Sequence, residues 1–132
     1  MSEPLNACLA LAAMIRDHGT PSPDEVRFVA HAAIELGLDQ QDNERVQQTL
    51  KDGGDFESHL AEITSRAMRL FLFRRLVSAV LLDEQINDSE RAYISKAAEA
   101  FGFVPATVDE YLAWMRDGLA WEKRGAELVQ RL

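Results

Sequence analysis

The stretch MRLFLFRRLVSAVLLDEQINDSER, residues 68 to 91, decides the fold. Met68, Leu70 to Phe73, Leu76, Val77 and Ala79 to Leu82 place apolar side chains on nearly every face of a helix. A helix that is apolar all round is buried all round, so this run is predicted to be the central post of a helical domain. It does not read as a membrane span. Arg74 and Arg75 fall in its middle, and the apolar stretch is shorter than the roughly 20 residues a bilayer requires. At Asp83 the run turns acidic, and at Asn87 a second helix is predicted to begin.

Around this post, capping and punctuation signals divide the chain into helices. Helix one is predicted from about Pro4 to Asp17, stopped by Gly19 and Pro21. Ser22-Pro23-Asp24-Glu25 then forms a capping box, with Ser at the N-cap, Pro at N1 and Glu at N3. Gly37 ends that helix. A polar third helix follows over about Asp39 to Lys51, and the turn Asp52-Gly53-Gly54-Asp55 separates the halves of the chain. Phe56, Leu60 and Ile63 mark a fourth helix, and Thr64 or Ser65 is placed to cap the central post. Helix six opens at Asn87 to Glu90 and stops at Gly102; helix seven begins at Pro105. After Gly118 a tail is expected, with a last short helix. No window alternates with the period of a strand, so the fold class is all-α, one domain of about seven to eight helices.

The two halves repeat. Ser22 to Glu25, Phe28, Ala32-Ala33 and Leu36-Gly37-Leu38 match Asn87 to Glu90, Tyr93, Ala97-Ala98 and Phe101-Gly102-Phe103 at a constant offset of 65. Ahead of each cap stands an Asp, Asp17 and Asp83, with one residue more in the first loop. Two copies of a helix, acidic loop, helix, helix unit are therefore expected about a pseudo-twofold axis. The first spans about residues 5–51, the second about 66–116, and a C-terminal tail covers 117–132.

This arrangement of an apolar helix, an Asp, a Glu opening the next helix and a closing apolar-Gly-apolar triplet resembles the TerB-like family. That family takes in tellurite-resistance proteins and related helical domains, including some fused to membrane-anchored J-domain cochaperones. The resemblance covers about residues 5 to 116. It implies an all-helical pseudo-symmetric fold, acidic positions that bind metal, and a place in a cytoplasmic stress response. The chain departs from the pattern where His18 precedes Gly19 and where Glu84-Gln85 replaces the expected Gly.

A carboxylate at a helix C-terminus faces the negative end of the macrodipole, at a cost on the order of 0.3–1 kcal/mol, so Asp17 and Asp83 each need compensation. Two roles are open. With Glu25 and Glu90, and Glu84, Asp88 or Asp24 in support, they would offer hard oxygen ligands to Ca²⁺, Mg²⁺ or Mn²⁺, and His18 beside Asp17 would offer a nitrogen to a softer metal. Alternatively they accept hydrogen bonds that brace the turns, and the two glutamates do no more than complete their capping boxes. Neither loop is an EF-hand: position six would be Ser22 or Asp88 instead of Gly, and position twelve Phe28 or Ile94 instead of Glu.

The remaining signals bound the function. A formal charge of −8 disfavours nucleic acid and favours cations or basic partners. The single Cys8 forms no internal disulfide and reads as a small core residue. The run LNACLALAAMI lacks a basic region before it, so no export signal is expected and a cytoplasmic location is. His31 and His59 read as surface or boundary residues. Arg66, Arg69, Arg74 and Arg75 are expected on a solvated edge, or opposite the acidic segment around Asp52, Asp55 and Glu57. No triad ordering or phosphate-binding glycine loop stands out, so no catalysis is expected. Trp114 and Trp121 are expected to pack onto their own domain. The alternative is a patch that dimerises or docks a protein partner.

Overall fold

The computed structural model describes residues 2–81 and 87–132. Among these the chain is all-α, with seven helices and no strand: α1 (Glu3–Asp17), α2 (Pro23–Glu35), α3 (Gln40–Asp52), α4 (Phe56–Ala61), α5 (Arg66–Leu81), α6 (Asp88–Phe101) and α7 (Pro105–Gln130). The expected loop residues Asp83, Glu84 and Gln85 lie outside the described residues. No described helix is long and apolar enough to cross a membrane. The chain divides into two compact units, one ending at Phe101 and one beginning at Gly102. The first holds α1 to α6; the second is built on α7. The boundary falls inside the expected second repeat.

The capping signals are realised atom by atom. Ser22 Oγ accepts from Glu25 N (3.1 Å) while Ser22 N donates to Glu25 Oε1 (2.9 Å). Asn87 and Glu90 make the same reciprocal pair, at 2.8 and 3.3 Å. Asp39 caps α3 through Asp42 N, Asp55 caps α4 through Ser58 N, and Ser65 caps α5 through Met68 N. At the other end of α2, Leu38 N donates to Ala33 O and Gly37 N to Ile34 O, a Schellman closure that requires the positive φ of Gly37, 68°. Gly102, at the offset of 65, has the same conformation at 71°.

The central helix of the first unit is α1, where the sequence pointed to α5. Every residue from Leu5 to Ile15 is buried, and α1 packs against α2, α3, α4 and α5. The reason is residue size. Ala7, Ala10, Ala12 and Ala13 leave α1 thin, so four neighbours close around it, and Leu5, Leu9, Leu11, Met14 and Ile15 fill the space between. The larger side chains of α5 imply more burial than that helix has. Leu72, Phe73, Leu76, Val77 and Ala79 to Leu81 are buried, but Arg66, Ala67, Leu70 and Arg74 face water. Its basic residues do not meet the acidic segment 52–57. Arg75 pairs with Glu35 and lies over the rings of Phe28 and Phe71; Arg69 Nε donates to Ile63 O (3.0 Å), and Glu57 pairs with Lys96 (3.1 Å).

In the second unit no break falls at Gly118, and the expected tail over 117–132 is the continuation of α7. Each glycine inside a helix costs about 1 kcal/mol against Ala, and α7 carries two, Gly118 and Gly125. The Ala, Leu, Glu, Lys and Arg around them propagate well enough to carry the helix through.

Candidate functional site

The acidic positions gather where α1 ends and α2 and α6 begin. Asp17 occupies the last residue of α1, and its carboxylate accepts a hydrogen bond from the phenol of Tyr93 on α6. The need for compensation at a helix C-terminus is thus met by a side chain 76 residues away. Burial first, then the hydrogen bond and charge of Asp17 and the charge of Glu57, push the Tyr93 hydroxyl up to about 12. Its ring stands edge-on to Phe56 at the start of α4 (4.8 Å between centroids) and to His18 (5.4 Å), with Lys96 Nζ 5.4 Å from its centroid. Tyr93 therefore ties α1, α4 and α6 at one point.

His18 is held on both nitrogens. Its Nδ1 lies 2.8 Å from Met14 O, which can only accept, so Nδ1 carries the proton. Nε2 is then left to accept from the hydroxyl of Ser89, 3.3 Å away on α6. This tautomer follows from the network.

Beside His18 a cavity of about 180 Å³ opens, lined by Met14, Ile15, His18, Glu25, Ala79, Val80, Asn87 and Glu90. Of the expected ligands, Glu25, Glu90 and His18 share it. Asp17 is not in its lining, Asp88 is exposed in the first turn of α6, and Asp24 turns outward to pair with Arg27. Asp83 and Glu84 lie outside the described residues. Glu90 is 7% exposed, and one oxygen of each glutamate is committed to its capping box. Among the described residues no three His, Cys, Asp or Glu side chains are grouped to hold a metal ion. The described residues bring to this cavity two glutamates, each with one oxygen in its capping box, and a histidine whose Nε2 is already bonded to Ser89.

Two polar anchors of the first unit were not read from the sequence as a pair. Asn6 is 1% exposed inside the apolar helix; its Nδ2 donates to Ser2 O (3.1 Å) and its Oδ1 accepts from His59 Nδ1 (2.9 Å). Burial chiefly, aided by the nearby Arg45 and opposed by Asp55, lowers the His59 pKa. A single Asn in the run LNACLALAAMI is the signal, because a buried amide requires a partner. Cys8, also buried in α1, is the core thiol expected, and burial pushes it up to about 12.

The tryptophans differ from expectation. Trp114 is 68% exposed and Trp121 78% exposed. Trp114 stacks on Tyr111 one turn earlier (6.0 Å, 29° between planes). Leu119, Leu128, Val129 and Leu132 are exposed as well, and every residue from Arg116 to Leu132 faces water. The sequence placed Trp114 off the inner stripe of α7, and it is exposed there. Comparison with family models, with curated proteins and with solved structures finds no match to this chain, so the likeness to the TerB-like family rests on its own residues.

Proposed function

We propose that the chain is a non-catalytic helical module that binds another polypeptide through the outer face of α7, with its acidic positions serving as braces of its own fold. The observation that carries this is the row of exposed apolar side chains from Trp114 to Leu132, on a helix whose residues from Arg116 onward are all exposed. Scattered apolar residues are normal on a surface; a row headed by two tryptophans marks an interaction site. The stress-response setting implied by the TerB-like resemblance, in the cytoplasm, suits such a scaffold. Acrylamide quenching of the two tryptophans, the only ones in the chain, tests the reading. In dilute protein both are to be quenched freely, and both shielded once the face is occupied. Tryptophans already shielded in the dilute monomer contradict it.

A second reading is a divalent cation, Ca²⁺, Mg²⁺ or Mn²⁺, at the cavity between α1, α2 and α6. What favours it is that Glu25 and Glu90, 65 residues apart, line one cavity. Thermal unfolding with each ion on the wild type and on Glu25→Gln/Glu90→Gln decides it, because Gln keeps the capping box and removes the charge. At one hundred times its dissociation constant a bound ion adds about 2.7 kcal/mol to the native state. An ion that stabilises the wild type and not the variant supports the reading; no stabilisation of the wild type rules it out.

A further inference from the structure

The outer face of α7 has a period of its own. Trp114, Trp121 and Leu128 recur every seven residues, and Gly118, Gly125 and Leu132 recur every seven on the adjacent line. Together they form the two rows of a helix-pairing seam. The glycines are the informative members. An added methyl group at Gly118 or Gly125 would meet nothing among the described residues within 4 Å, so no described contact requires them, yet both weaken the helix.

We propose that α7 pairs with α7 of a second copy, antiparallel, about a twofold axis crossing between Leu119 and Ala120. This rests on the reading of α7 as the binding face and names its occupant. In that register Trp121 of one copy meets Gly118 of the other, and Trp114 meets Gly125, twice each by symmetry. Every indole finds a position without a side chain, the space a ring needs to lie close against a helix. The flanking charges agree. Asp117 comes beside Arg124 of the second copy, and Glu110 beside Arg131 of the second copy, all four exposed. A parallel pair does the reverse. It stacks glycine on glycine and tryptophan on tryptophan, and it brings Asp117 against Glu122 of the second copy. The stack on Tyr111 already orients Trp114, which reduces the ordering the contact requires.

Sedimentation equilibrium of the full chain across micromolar concentrations tests this, with four variants. The wild type is expected to move from 14.8 kDa to twice that mass. Asp117→Arg sets Arg against Arg on both sides and is expected to weaken the dimer roughly tenfold, and Asp117→Arg/Arg124→Asp to restore it. Gly118→Leu improves the helix and adds apolar surface, so a nonspecific apolar contact would tighten; here the dimer is to be lost. A wild type that stays monomeric, an Asp117→Arg dimer that is unchanged or tighter, or a Gly118→Leu dimer that is tighter overturns the pairing. The Trp114→Ala/Trp121→Ala chain separates the two levels. Where the wild type stays monomeric, an equally stable double variant leaves the binding face standing and self-pairing alone has failed; a strongly destabilised one shows that the tryptophans serve the fold, and the binding face fails with the pairing.

Discussion

The phenol of Tyr93 on α6 donates a hydrogen bond to the carboxylate of Asp17 at the end of α1. It joins the first acidic position of the chain to the second half through a contact that no local pattern encodes. Tyr93→Phe keeps the ring contacts with Phe56 and His18 and removes only the hydroxyl, so it is expected to cost about 1 kcal/mol in chemical unfolding. The pH dependence has a definite sign. Tyr93 is raised from 10.0 to about 12, so the folded state holds its proton longer than the unfolded chain. Its contribution is complete below pH 10.0 and is lost as pH rises through about 12. Ultraviolet titration should show Tyr93 ionising above the ordinary phenol value, and the Phe variant should lack that transition.

A second tether acts at the opposite pH extreme. Glu3, in the first turn of α1, accepts from the backbone N–H and hydroxyl of Thr64 and from Ser65 N, clamping α1 to the start of α5. Those hydrogen bonds, the Thr64 backbone first, hold its carboxyl at about 2 instead of 4.5. Its contribution is present above 4.5 and is lost as pH falls through about 2. Glu3→Gln is expected to lower Tm at neutral pH and to flatten the stability profile across that acid window. An unchanged profile contradicts the clamp.

The buried pair Asn6–His59 predicts a third effect. Asn6→Ala strands the His59 Nδ1–H and should cost about 2 kcal/mol, several times an ordinary surface change. Because burial lowers the His59 pKa, the unfolded chain takes up its proton first as pH drops below 6.5, and stability falls there. His59→Leu should remove that part of the acid slope, read from unfolding midpoints between pH 7 and 5.

Which helix is central can be read from two truncations. Leu11→Ala on α1 is expected to cost about 2–5 kcal/mol, as for fully buried leucines. Leu70→Ala on α5 removes an exposed side chain and should stay within about 0.5 kcal/mol of wild type. Equal losses would return the central role to α5.

What could be read from the sequence was local, and what could not was long-range. The Ser22–Glu25 and Asn87–Glu90 boxes and the helix ends at Gly37 and Gly102 lie within a few residues of their causes, and the structure has all of them. The alanines of α1 carry little hydrophobic signal, yet their smallness is what lets four helices surround that helix. The large apolar side chains on nearly every face of the 68–82 run therefore pointed to α5. Likewise, residue type puts Glu25, Glu90 and His18 in one candidate ligand set with Asp17, but that these three share a cavity while Asp17 turns to Tyr93 depends on how α1, α2 and α6 pack. Gly118 read as a helix stop because the cost of one glycine is visible in the sequence, whereas the propagation of the residues around it is a property of the whole segment.

The claim that matters most is that Trp114 and Trp121 belong to a binding face and contribute nothing to the fold of the chain that carries them. The direct measurement is the unfolding free energy of Trp114→Ala/Trp121→Ala against wild type, both dilute enough to be monomeric. A difference within about 1 kcal/mol is the expected result for side chains this exposed. A loss of about 3 kcal/mol or more, the cost of truncating tryptophans packed in a core, would contradict it.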